Sequence, residues 1–354
     1  MKIAILPVLA GAVFGIIAPL LVYFGNPGNM GLCAGCFTRD IAGALNLHNA
    51  TALQYMRPEI LALVLGSFLS AFLSKSYNPR AGSAPIARFF LGIFTMIGIL
   101  VFLGCPWRAF LRISAGDLSA LAGILGLVAG VCLGIFFLKK GFSLGRAKPT
   151  SKFIGFIFPA FIILCLVLLF ISLNEEKPLL KFSTSGVGFM HAPVLISLIA
   201  GLIIGVLFQK SKFCSISGIS AFLLFRDTYL LQGVIALIIC AFLSNLALGY
   251  FHLGFTEQPI AHNDFIWNFL GMFLAGSALS LAGGCPGRQL VLSGEGDGDA
   301  AVFVMGSLFG AALAHNFSLA SSPAGISANA PFAVILGLIF VLCLGLFSKN
   351  KETI

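Results

Sequence analysis

The sequence predicts an all-α polytopic membrane protein, with about ten transmembrane helices in two inverted repeats and re-entrant or broken helices between them. Three observations carry that expectation. Of the 354 residues, 59% are hydrophobic and only 9% charged, whereas soluble domains hold roughly 25% charged residues, so a soluble fold is excluded. The apolar residues fall into runs near the length of about 20 that crosses a bilayer, leaving little chain for a globular domain. Finally, Gly-Cys-Pro-x-Arg occurs twice, each time where an apolar run breaks.

In chain order, the first run, 3–24, follows Lys2. It is long and lacks a polar cleavage region, so it reads as an uncleaved helix rather than a signal peptide. A break at 26–46 (NPGNMGLCAGCFTRDIAGALN) carries Cys33 and Cys36. Runs 58–74 and 87–103 come next, with Pro58 between Arg57 and Glu59 reading as helix initiation. The first motif, GCPWRAFLRISAGD at 104–117, precedes run 118–138, and a basic connection, 139–152, leads to run 153–173. The second half follows with run 192–209, a break at 210–228 (KSKFCSISGISAFLLFRDT), and runs 229–250 and 265–283. It ends with the second motif, GCPGRQLVLSGEGD at 284–297, run 300–319 and, last, run 331–348. Small residues recur along the runs, as in Gly123, Gly126, Gly130, Gly134, Gly271 and Ala275, and predict close helix packing.

The net charge of +9 is topological rather than a nucleic-acid footprint, because the basic residues cluster in short connections. Connections 75–88 (Lys75, Arg80, Arg88) and 139–152 (Lys139, Lys140, Arg146, Lys148, Lys152) are expected in the cytoplasm. Counting spans from them places Lys2, Lys210, Lys212, Lys349, Lys351 and both termini there too, with 174–191 and 251–264 outside.

The two motifs align at a constant offset of 180 residues, matching Gly, Cys, Pro, Arg, Gly and Asp, and Arg39-Asp40 echoes in Arg226-Asp227. Span counting puts Cys105 at an external helix end and Cys285 at an internal one, so the repeats are inverted. The expected organisation is a first inverted repeat at 1–138, then a basic loop, linking helix and external loop at 139–191. A second inverted repeat at 192–319 and a final helix with a short cytoplasmic tail at 320–354 complete it. Inverted repeats with discontinuous helices are a transporter architecture, with the path between the halves.

In each motif, Gly and Pro present the cysteine at a helix break. Arg108 and Arg288, three residues on, can hold an oxyanion by a bidentate fork, and a new helix N-terminus adds dipolar attraction. A thiol beside a guanidinium suits a sulfur-bearing anion. The competing reading packs Cys105 and Cys285 as small residues, with the arginines paired to Asp117 and Asp297 or snorkelling. Both aspartates read as helix N-caps. Cys33-x-x-Cys36 is a reactive or sulfur-contacting pair or simple packing. Zinc is excluded for want of four ligands, His48 alone being insufficient. Cys214, after Lys210 and Lys212, sits in an electropositive setting that favours thiolate. Cys132, Cys165, Cys240 and Cys343 read as small buried hydrophobes. His315 reads as an interhelical hydrogen-bonding residue, His191, His252 and His262 are uninformative, and Glu175 and Glu176 read as solvated.

The duplicated motif, the cysteine-bearing breaks and the ten-run layout resemble the YeeE/YedE family of bacterial sulfur-compound transporters. Stretches 26–48, 57–68, 82–92 and 104–121 are similar to its YedE/FdhT branch, associated with selenium metabolism and formate dehydrogenase biogenesis. The resemblance implies an hourglass-like inner-membrane transporter whose cysteines hand a small sulfur- or selenium-containing anion, such as thiosulfate or a selenium species, inward. No cofactor is implied; the partners are that anion, the bilayer and a cytoplasmic sulfur or selenium carrier protein. The substrate path would run along Cys105, Cys214 and Cys285 with Arg108 and Arg288, and with Cys33 or Cys36 at the external entrance, the choice between those two staying open. The copies differ at Trp107, opposite Gly287 in the alignment, and in the acidic run 294–299, so the two mouths are not equivalent. Two rival readings remain: a membrane thiol-redox or sulfur-transfer enzyme, disfavoured for lack of an acid/base pair or cofactor motif, and an accessory subunit of a periplasmic enzyme, disfavoured by short loops.

Overall fold

A computed structural model of the chain describes residues 4–175 and 178–348, so Lys2, Glu176, Lys349 and Lys351 lie outside the described residues. The first half contains α1 (Ile5–Tyr23), α2 (Ala34–Ala44), α3 (Pro58–Leu73), α4 (Pro85–Phe102), α5 (Pro106–Ser114) and α6 (Ala120–Lys139). After α7 (Lys152–Leu173) the second half repeats the order: α8 (Val194–Ser211), α9 (Ser215–Phe225), α10 (Tyr229–Leu248), α11 (Phe265–Ala282), α12 (Pro286–Gly294) and α13 (Gly298–Asn316). The last helix is α14 (Ala330–Phe347). Among the described residues, ten helical stretches are long and apolar enough to cross a membrane, and each lies on one of the ten expected runs.

The local causes are those the sequence carries. Proline occupies the first turn of α3, α4, α5 and α12, where its missing N–H is harmless. Helices α4 and α11 each stop on a left-handed residue, Leu103 and Gly283, after which Cys-Pro starts the short helix that follows.

Packing joins the halves rather than each half to itself. The four most extensive helix contacts are α1 with α10, α3 with α8, α4 with α13 and α6 with α11. Repeat symmetry exchanges the first of these with the second and the third with the fourth. Glycine makes each contact close: a Cβ added at Gly11, Gly66, Gly92 or Gly126 would press on a backbone carbonyl of Gly233, Leu202, Phe303 or Phe269. Of the small residues expected to serve this end, Gly130 also faces the α11 backbone, Gly134 faces Ser280, Gly271 meets Gly98, and Gly123 receives the Phe102 ring.

Connections sort onto two sides of the bundle. Strand β1 (Arg80–Ala81) pairs with β2 (Lys148–Pro149), Gln209 Nε2 donates to Ser76, and Ser143 N–H donates to the Ser348 carbonyl, so one side gathers most basic residues. On the other side, Asn26 accepts from Ala192 N–H, Arg57 donates to the Met190 carbonyl and Asn316 donates to Leu47.

Two expectations need correction here. Only Cys165 of the four span cysteines is buried; Cys132 and Cys343 are exposed and Cys240 is half-buried. A bilayer-facing surface is as apolar as the core, so hydropathy cannot separate the two. Among the described residues His315 Nε2 has no interhelical hydrogen-bond partner; its ring lies 4.7 Å from that of His48.

Candidate functional site

The four breaks fold alike. Each contains a short helix whose N-cap residue is a cysteine: Cys33 before α2, Cys105 before α5, Cys214 before α9 and Cys285 before α12. A helix start leaves backbone N–H groups unpaired, and a sulfur at the cap takes one of them. Cys33 Sγ accepts from Cys36 N–H (3.2 Å), Cys214 Sγ from Ser217 N–H (3.5 Å) and Cys285 Sγ from Arg288 N–H (3.4 Å).

The four caps form two couples. Cys33 Sγ lies 3.5 Å from Cys105 Sγ, and Cys36 is joined to Cys33 as a disulfide. In the second half Cys214 Sγ accepts from the backbone N–H of Cys285 at 3.3 Å. All five side chains are buried. The first couple is tied to the side of the Asn26 contacts and the second to the basic side, through the anchors of the neighbouring arginines.

Those anchors differ in charge balance. Arg108, fully buried, donates only to carbonyls, those of Asn29 (3.1 Å), Pro259 (3.2 Å), Ile260 (3.1 Å) and Leu103, and has no carboxylate partner among the described residues. Nearby, Arg39 and Arg57 share one carboxylate, Asp40, at 2.7 Å each. The other end is neutralised: Arg288 pairs with Glu295 (3.0 Å), Arg80 with Asp297 (2.7 Å) and Arg88 with Asp299 (3.9 Å). The acidic run 294–299 therefore anchors arginines and the 75–85 connection, with Asn78 N–H donating to the Glu295 carbonyl and Ser83 N–H to Asp299.

The alternative pairing of Arg108 and Arg288 with Asp117 and Asp297 is not what forms. Asp117 holds Arg112 (2.6 Å) and Ser119, two residues short of capping α6, whose N-cap is Ser119. Asp297 does cap α13, accepting from Ala300 N–H at 3.0 Å. Lys210 and Lys212 are exposed at the end of α8 while Cys214 turns inward, so the helix start rather than the lysines sets its surroundings. The Arg-Asp echo also splits: Arg39 and Asp40 are buried, Arg226 and Asp227 exposed. Arg57 and Pro58 do start α3 as expected, but Arg57 also bridges Asp40 and the Val187 and Met190 carbonyls, and Glu59 accepts from Asn26 and Ser197.

Arg112 carries no signal of its own in the sequence, and Asp40 and Glu295 stand in the Arg-Asp echo and the acidic run without their partners being readable there. His48 and His262 are used structurally: each accepts on Nδ1 from the N–H two residues on and donates from Nε2 to a carbonyl, that of Arg39 or Val101. Burial lowers the pKa of both, so both rings are neutral. Among the described residues no group of three or more His, Cys, Asp or Glu is placed to hold a metal ion.

Residues 210–344, which include Cys214, Cys285 and Arg288, match the family model for sulphur transport. No curated protein matches the chain.

Proposed function

We propose, from the match of residues 210–344 to the family model for sulphur transport and from the four cysteine-capped helices, that the chain imports a small sulfur- or selenium-containing anion. The observation that carries this reading is the pairing of four cysteine-capped helix starts, each offering backbone N–H groups, at buried positions inside the bundle. An anion at such a point is stabilised by the helix dipoles. A thiol adds a weak S–H donor and a polarizable surface matched to sulfur or selenium.

Arg108, which has no carboxylate partner among the described residues, and the pair Arg39 and Arg57, which share the single carboxylate of Asp40, attract the anion to the Cys33/Cys105 couple. It passes to Cys214 and Cys285 and leaves past Arg288, whose charge Glu295 already offsets. Capture beside an arginine with no carboxylate partner and release past one that Glu295 already pairs favours one direction. The basic connections face the cytoplasm in this reading, in the inner membrane of a bacterium, and a cytoplasmic carrier protein would accept the product.

Uptake of labelled thiosulfate and selenite by cells with and without the protein tests the reading. Cys214→Ala or Cys285→Ala should lower uptake about tenfold or more, the worth of one hydrogen bond to a charged group; unchanged uptake refutes it.

The Cys33–Cys36 disulfide beside Cys105 favours a second reading, a thiol-redox protein. Attack of a Cys105 thiolate on Cys33 Sγ would form a Cys33–Cys105 bond and release Cys36 as thiolate. Alkylation with and without added oxidant separates the two: transport requires no cycling of the disulfide.

A further inference from the structure

Two motif residues with neither charge nor sulfur meet between the cysteine couples. Trp107, two positions after Cys105, lays its indole on Gly287, two positions after Cys285; a Cβ at Gly287 would fall within the ring. The two positions are equivalent in the repeats. One large side chain therefore fills the space that two equal ones would have to divide.

The ring is 1% exposed and walled by Phe14 and Phe208, each at 5.1 Å between centroids. Phe208 stacks at 4.5 Å on Phe213, which adjoins Cys214. The indole thus bridges the start of α5, capped by Cys105, and the start of α12, capped by Cys285. Its Nε1–H has no acceptor among the described residues, although a buried indole N–H ordinarily finds one.

We propose that Trp107 is the gate of the path and its size-limiting residue: seated on Gly287, the indole closes the passage, and its free Nε1–H donates to the anion as it crosses. This rests on the transport reading. The anion supplies the acceptor that the closed state lacks, so binding favours the displaced ring. Gly287 is required because any side chain there would hold the ring off its seat.

The test uses the full chain in proteoliposomes, with fluxes of thiosulfate and of the larger anion gluconate. Trp107→Phe should keep gluconate out but lower thiosulfate flux about 10- to 150-fold through loss of the donor. Trp107→Ala should admit gluconate, which the unaltered protein excludes. Gly287→Ala, which holds the ring off its seat, should likewise admit gluconate while still carrying thiosulfate, which a merely misfolded variant would not do. An unchanged size limit in Trp107→Ala, or in a Gly287→Ala variant that still carries thiosulfate, overturns the proposal.

A second readout needs no substrate. An impermeant anionic methanethiosulfonate reagent applied to one side of sealed vesicles should label the far cysteine couple about 10- to 1,000-fold faster in Trp107→Ala, as expected when a rarely open gate is removed. Equal rates overturn the gate. Faster labelling with no thiosulfate flux in the unaltered protein would refute the transported species and leave the gate standing.

Discussion

Asp117 and Asp297 hold the same repeat position in different surroundings, and replacing each by Asn should have very different costs. Asp117 Oδ2 lies 2.6 Å from Arg112 Nε, and both side chains are fully buried. Oδ1 accepts from Ser119 N–H (2.9 Å) and Oγ (2.6 Å), while Arg112 also donates to the Phe102 carbonyl and packs over the Phe102 ring at 4.3 Å. Asp117→Asn leaves the guanidinium charged and dry, a loss of about 3–5 kcal/mol, or roughly 150- to 5,000-fold in the folded-to-unfolded ratio. Asp297→Asn breaks a pair whose Arg80 side chain is 40% exposed, worth about 0–1 kcal/mol, and Asn caps α13 nearly as well as Asp. Equilibrium unfolding of the purified protein in mixed micelles measures both. Adding Arg112→Met to Asp117→Asn should recover about 0.5–3 kcal/mol, because the stranded charge is gone. Equal costs for the two Asn variants, or no recovery in the double variant, would refute the reasoning.

Three further outcomes follow from the same geometry. Gly130→Ala should cost about 1–3 kcal/mol by pushing α6 off the α11 backbone, whereas Gly254→Ala, with nothing nearer than 4.0 Å, should stay within about 0.5 kcal/mol in thermal unfolding. His48 and His262 are held neutral with folded pKa values below the unfolded 6.5, so their contribution is complete above that pH and is lost as pH falls through the folded values. The unfolding midpoint should therefore be flat above about pH 7 and drop on the acid side, and His262→Gln should flatten that limb. Finally, Arg108→Gln should weaken anion capture: initial-rate uptake should show a higher KM, since the arginine without a carboxylate partner among the described residues is removed.

Much of this was legible because its causes are local. Ten apolar runs announce ten helices, and Cys-Pro after a glycine announces each short helix of the motif, because Pro fits a first turn and nothing later. The offset of 180 residues exposed the Trp107/Gly287 difference, but not that the two positions touch, which depends on how the halves interlock. Charge partners were equally out of reach. Asp40 serves Arg39 beside it and Arg57 beyond a turn, and Asp297 serves Arg80 more than two hundred residues earlier in the chain. Cys132 and Cys343 show the converse limit, since a helix facing lipid leaves no polar stripe to mark its outer side.

The exchange of helices between halves also sets a timetable. Helix α1 finds its main neighbour in α10, about 200 residues further along the chain, which at 5–20 residues per second emerges roughly 10–40 s later. Until then the Gly11/Gly15 face of α1 has only lipid or a provisional neighbour against it. A truncated product ending before α10 would keep that face uncovered indefinitely. The same face that lets the finished helices approach so closely is thus a mark by which a membrane protease could distinguish an incomplete chain from a finished one.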